Sequence, residues 1–372
     1  MLLERYKTIY SVIDLIYWSS KIFGMAPFAR ENRGFASTMN VSGKGFVNMF
    51  IGLGVCATML FFFVQLVNIR QEQGFFNQVN TILYILSGLR VLSAMITVFV
   101  LFFSQEPLIS SYEKLDNFDN KKKTFKKLQY TKYFNGTLFS IFFIFFLVLG
   151  MEVMYYFVME EKISVLICDL FSNGLQFLIH LLVLLYFELY IFILTNDFKF
   201  IKSTTEDLNK AFKETDHSQK ETILTVKTIS LMYDDLCKGA EYINQVFSFP
   251  LFSLISLNFM EVLLGIYLCQ DHKTRDVRAI FWTAFYTVQQ FFILTPPGTA
   301  ESEAKEITKY LSEAELHIDE ELSNERNHFL LRTLHQSVSF SACGFFPISM
   351  SAIIGQFSIS ISFLLFMFQI IK

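Results

Sequence analysis

Seven stretches of this chain are apolar for about the length needed to cross the hydrocarbon core of a bilayer, roughly 20 residues each. They run near residues 46–67, 78–103, 133–158, 165–194, 245–269, 279–294 and 349–371. A chain of 372 residues with 45 Phe, 53% hydrophobic and only 17% charged has too little polar surface for a soluble globule. The pattern predicts an all-α membrane protein with seven transmembrane helices over 45–371, preceded by an N-terminal segment, 1–44. Glu4, Arg5 and Lys7 stand where a secretory signal needs its apolar core. Residues 6–28 alternate apolar with polar and read as an amphipathic lead-in rather than an eighth span.

Orientation follows from where the basic residues sit. Of 31 Lys and Arg, 24 lie in the N-terminal segment and the connections after spans two, four and six. Six lie on the opposite side (Arg70, Lys162, Lys273, Arg275, Arg278 and Lys372), and Arg90 falls within span two. The split predicts a cytosolic N-terminus and an extracellular C-terminus, the reverse of a G-protein-coupled receptor. The sequons at Asn40 and Asn135 then face the cytosol and stay unglycosylated. A net charge of −3 gives no nucleic-acid footprint. The five Cys have no metal spacing and read as small apolar residues, so neither metal nor cofactor is expected. No phosphate loop, metal-binding helix or nucleophile elbow appears, so no enzyme is expected.

Between spans four and five, Val226, Ile229, Tyr233, Leu236, Ala240, Ile243 and Phe247 recur at alternating spacings of three and four, an apolar seam of about three heptads. It serves either packing within the chain or the joining of subunits. After span six, the pair Pro296–Pro297 is expected to break the helix or start a new one. The acidic run that follows, from Glu301 to Glu325, reads as a solvated face or as a vestibule that concentrates cations.

Polar side chains inside spans are costly and point to protein or water rather than lipid. Asp169, Asn173, Gln176 and His180 share one face of span four at helical spacing. Glu152, Tyr155 and Tyr156 cluster in span three, Trp282 and Tyr286 in span six, and Arg90 lies in span two. Together they are candidates to bind a small organic ligand, which needs aromatic walls and a few polar groups. The alternatives are a structural polar network, with Arg90 paired to Glu152 or Asp169, and an interfacial aromatic belt for Trp282 and Tyr286.

The chain ends Ser362-Phe363, five hydrophobic residues, Gln369-Ile370. This resembles the Thr-Tyr-(five hydrophobic)-Gln-Phe signature of insect gustatory receptors, departing at three of its four fixed positions and keeping Gln369. Cys343-Gly-Phe-Phe-Pro-Ile-Ser349, Leu236, Ile243-Asn244 and Phe247-Ser248 are also similar to that family. The resemblance implies a ligand-gated, non-selective cation channel in the plasma membrane of gustatory neurons. It implies a homotetramer, or a heterotetramer with related subunits, joined by cytosolic helical extensions. The pore would be lined by span seven, with Gln369 and Ile370 at the outer gate and Ser362, Phe363 and Phe366 deeper. Leu364 stands where the sugar-sensing branch carries Glu, which favours a bitter-type or unassigned tastant. The implied partners are that small molecule, membrane lipid and permeant cations. A G-protein-coupled receptor and a polytopic transporter are the alternatives.

Overall fold

The computed structural model describes residues 21, 23, 25, 29–33, 36–40, 45–72, 78–122, 150, 153–154, 163–211, 219–270, 277–313 and 320–371. Two strands, β1 (Ala29–Arg33) and β2 (Ala36–Asn40), pair antiparallel from Ala29↔Asn40 to Arg33↔Ala36. The expected lead-in and third span lie outside the described residues, apart from a few positions.

Helices follow: α1 (Gly45–Glu72), α2 (Gln78–Phe103), α3 (Gln105–Lys122) and α4 (Ile163–Asp169). A π-helical turn, Leu170–Gly174, carries α4 into α5 (Leu175–Ala211). Then come α6 (Gln219–Gln270), α7 (Val277–Glu313) and α8 (Glu320–His335). A short hairpin, β3 (Ser341–Ala342) with β4 (Phe346–Pro347), precedes the last helix, α9 (Met350–Ile371).

Four helical segments among the described residues are long and apolar enough to cross a membrane: Val47–Glu72, Thr81–Phe103, Ile163–Leu208 and Thr222–Leu268. On α1, Phe50, Phe61 and Val64 stay exposed, which is cheap against lipid tails and costly against water. The third and fourth of these elements are longer than a bilayer requires. The 52 residues of α6 span about 78 Å at 1.5 Å per residue, against about 30 Å of hydrocarbon. Its charged N-terminal half therefore projects beyond the membrane.

The helix α7 corrects one expectation. It continues through Pro296 and Pro297 instead of breaking there. Each proline lacks the N–H that would bond the carbonyl four residues back, leaving Phe292 and Ile293 without those helix bonds. The helix absorbs that loss because strong formers (Ala304, Lys305, Glu306) and the pair Glu301–Lys305 (2.6 Å) extend it on the far side. The acidic run is also less bare than its sequence implied. Lys202 bonds Glu303 (3.2 Å) and Glu306, and Lys199 lies 3.9 Å from Glu303.

The chain divides into two compact units. One holds residues 1–105, 128–189 and 249–261; the other holds 106–127, 190–248 and 262–372. In the first, α1 packs on α2 closely enough that a Cβ on Gly88 would lie 3.1 Å from the Phe63 ring. Leu66, Val165 and Cys168 form a buried cluster with Phe62, Ile69, Tyr84 and Leu166 around it. Phe62 stacks on Phe171 at 4.7 Å.

In the second unit, all seven residues of the heptad seam are buried by the chain's own helices. Tyr233 sits edge-on to Phe198 (5.9 Å) and Phe329 (5.8 Å), and its hydroxyl donates to the Gln336 carbonyl. Such ring pairs add about 0.5–1.5 kcal/mol beyond the area they bury. Basic residues of α3 fasten it to its neighbours. Lys114 and Lys121 reach Asp235 (3.3 and 2.5 Å), and Lys122 reaches Asp197 (2.7 Å).

Candidate functional site

The face of α4 and α5 picked out by its polar residues sits on the π turn. A π turn holds one residue more than an α turn and often marks a functional site. Here Asn173, inside the turn, bonds both Asp169 and Gln176. Asn173 Nδ2 donates to Asp169 Oδ1 (2.6 Å), and Gln176 Nε2 donates to Asn173 Oδ1 (3.0 Å). The Ser87 hydroxyl of α2 donates to that same Asn173 oxygen (2.6 Å).

One turn further on, His180 joins a separate chain of hydroxyls. Ser253 Oγ donates to the Pro250 carbonyl (2.9 Å), and Ser93 Oγ donates to Ser253 Oγ (3.0 Å). With its proton spent, Ser93 Oγ is left to accept from His180 Nε2 (3.2 Å), which therefore carries the ring proton. Below them, Arg90 Nε donates to Glu261 Oε1 (2.9 Å) and Arg90 Nη2 reaches Asn258 Oδ1 (3.4 Å). Asn258 is fully buried.

These groups form a polar seam within the first unit. Span two supplies Ser87, Arg90 and Ser93, span four supplies Asp169 to His180, and span five supplies Ser253, Asn258 and Glu261. In lipid each of these groups would cost several kcal/mol unless satisfied, so their convergence is what makes them affordable. Gln176 Oε1 at this seam, and Thr97 Oγ1 one helical turn beyond Ser93 on α2, are buried without a hydrogen-bond partner. Buried polar atoms are rarely left so, and a bound water or ligand is the ordinary remedy.

The other candidates fall elsewhere or outside the described residues. Glu152, Tyr155 and Tyr156 are outside them. Trp282 and Tyr286 belong to the second unit, where their rings stack at 5.4 Å and 22° with Phe285 edge-on to both. Ser362 lies on an exposed face of α9, its hydroxyl donating to the Ser358 carbonyl (3.0 Å). Phe363, Phe366, Gln369 and Ile370 lie on the same helix, with side chains outside the described residues. No cluster of metal ligands occurs among the described residues.

Sequence reasoning missed Ser87, Ser93, Ser253, Asn258 and Glu261. Single serines in apolar runs carry no signal of their own. Glu261 did carry one: a carboxylate inside span five demands a cation, and Arg90 is the basic residue inside a span.

Residues 13–372 match the family model of the 7tm chemosensory receptor. The fold is similar to the insect olfactory receptor OR5 from Machilis hrabei, with a TM-score of 0.69 at 12% identity over 97% of this chain and 98% of that one. The same receptor in complex with eugenol matches with a TM-score of 0.64 at 12% identity over the same shares. A comparison with curated protein sequences finds no match.

Proposed function

Because the chain belongs to the 7tm chemosensory receptor family, we propose that it is a gustatory receptor acting as a ligand-gated, non-selective cation channel. Four copies, or copies mixed with related subunits, enclose a pore lined by α9. The N-terminus is cytosolic, as the 24 to 6 division of basic residues supports. The projecting parts of α5 to α8 then lie in the cytosol, where their buried seam gives each subunit a rigid base. The channel resides in the plasma membrane of a sensory neuron and depolarises it.

The observation that carries the ligand half of this reading is the buried polar seam with the unmet Gln176 Oε1 acceptor. A soluble tastant offering a hydroxyl or amine donor to Gln176 Oε1, with an apolar body against the span walls, suits that chemistry. The tail lacks the Glu of the sugar-sensing branch, which favours a ligand outside the sugars.

Conduction rests on α9. By helical register Ser351, Gly355, Ser358, Ser362 and Gln369 share one face, and the first four are exposed in the single chain. Hydroxyl oxygens along such a face suit cations, and Ile370 beside Gln369 gives an apolar constriction that blocks ions by dewetting.

The test is expression in cells that lack other receptors, with whole-cell recording against a panel of bitter compounds and eugenol. A cation current that is reduced or altered in selectivity by Gln369→Ala is expected. A monomer in mild detergent, or a current indifferent to Gln369→Ala, contradicts the proposed architecture.

A further inference from the structure

Two short motifs singled out in the sequence, Asn244 with Ser248 and the segment from Cys343 to Ser349, turn out to be hydrogen-bonded to the same few backbone groups. Asn244 and Ser248 are four residues apart and so lie on one face of α6. Asn244 Oδ1 accepts from the Ser341 N–H (2.9 Å). Ser248 Oγ donates to the Ser341 carbonyl (3.0 Å) and accepts from the Cys343 N–H (2.6 Å). Two side chains thus satisfy three backbone groups of the β3–β4 hairpin.

The hairpin needs that support. Its turn is closed by the Phe345 N–H on the Ala342 carbonyl (3.0 Å). Cys343 and Gly344 both have positive φ, at 52° and 73°, as the central residues of a type I′ turn do. Gly344 adopts this freely and Cys343 does not, so the clamp holds a conformation the side chain resists. From the turn the bonds run on without a gap. The Ile348 N–H reaches the Phe340 carbonyl (2.8 Å), and the Ala352 N–H reaches the Ser349 carbonyl in the first turn of α9 (3.0 Å).

We infer that Asn244 and Ser248 are positioning residues for α9: by holding the 341–347 hairpin they set where that helix starts, and thereby its gating. The gating half rests on the channel reading above; the positioning half does not. Pro250 stands two residues beyond Ser248 and removes the helix bond to the Val246 carbonyl, so α6 is weakened beside the clamp.

The test uses the full chain in lipid nanodiscs and in planar bilayers, with sodium and potassium as the only probes and no added compound. Amide exchange is followed separately in 337–348 and in 350–355. Ser248→Ala and Asn244→Ala are expected to speed exchange in both segments by at least about fivefold, and Ser248→Thr to restore it. Exchange in 350–355 that stays within about twofold of the unaltered protein in both alanine variants overturns the positioning role.

In bilayers, Ser248→Ala is expected to change the spontaneous open probability while the sodium–potassium reversal potential stays fixed, with Ser248→Thr restoring it. An unchanged open probability overturns the gating half. An unaltered protein that passes no current removes the channel reading, and the gating half with it, while exchange still decides the positioning role.

Discussion

The pair Lys122–Asp197 offers the most quantitative test of how the second unit is held together. Its charges lie 2.7 Å apart, with side chains 5% and 2% exposed. The ammonium also sits 5.5 Å from the Phe118 ring centroid and 5.0 Å from that of Phe200. Lys122→Met keeps most of the apolar stem and removes the cation. The Asp197 carboxylate then stays buried without that ammonium, a change that costs about 3–5 kcal/mol in comparable pairs. Lost cation–π attraction adds about 0.5–2 kcal/mol. Against a total stability of about 5–15 kcal/mol this is severe. Replacing both members, Lys122→Met with Asp197→Leu, removes the charges together and is expected to return stability to within about 2 kcal/mol of the original. The assay is the thermal midpoint of the detergent-solubilised protein, read by fluorescence-detected size exclusion, with the double variant beside both singles. A Lys122→Met midpoint equal to the original, or a double variant no better than the worse single, would refute the reasoning.

Other expectations follow from the same structure. Ser93→Ala breaks the hydroxyl chain from His180 to Pro250 and is expected to cost about 0.6–1.7 kcal/mol, the range for hydrogen bonds between membrane helices, measured by thermal melting. Gly344→Ala meets no atom within 4 Å, so its cost is that of a positive φ alone, about 1–2 kcal/mol, while Cys343→Gly is neutral or mildly stabilising in the same assay. The Lys202 ammonium bonded to Glu306 holds that carboxyl below the usual carboxylate range. Its stabilisation is present above the ordinary Glu value of about 4.3 and is lost as pH falls through the lowered one. Glu306→Gln should therefore flatten a small part of the acid limb of a melting-versus-pH curve, and a curve unchanged by Glu306→Gln removes this pair from the acid response.

What could be read from the sequence was whatever stands out against an apolar background. Long apolar runs announce themselves because a bilayer fixes their length, and Asp169, Asn173, Gln176 and His180 were visible as costly exceptions within one. Their partners were hidden because serine is unremarkable in a membrane helix and reveals itself only when another hydroxyl or ring comes within reach. The prolines of α7 misled because propensity is local, while an established helix can carry two missing bonds. The hairpin before α9 was invisible for a further reason. Its stability comes from Asn244 and Ser248, nearly a hundred residues earlier, and no window along the chain contains both.

A π turn is how a helix accommodates one residue too many, and the one at Leu170–Gly174 has a consequence for descent as well as for binding. An insertion in an apolar helix normally swings every later side chain by about 100°, turning a lipid face inward. Confining the surplus to one wide turn lets α4 and α5 each keep their own facing. A family member that lacks this surplus should align with α4 or with α5 but not with both in a single gapless register. Deleting one residue within the turn should accordingly be tolerated by the fold better than deleting one a turn later, where no slack exists to absorb it.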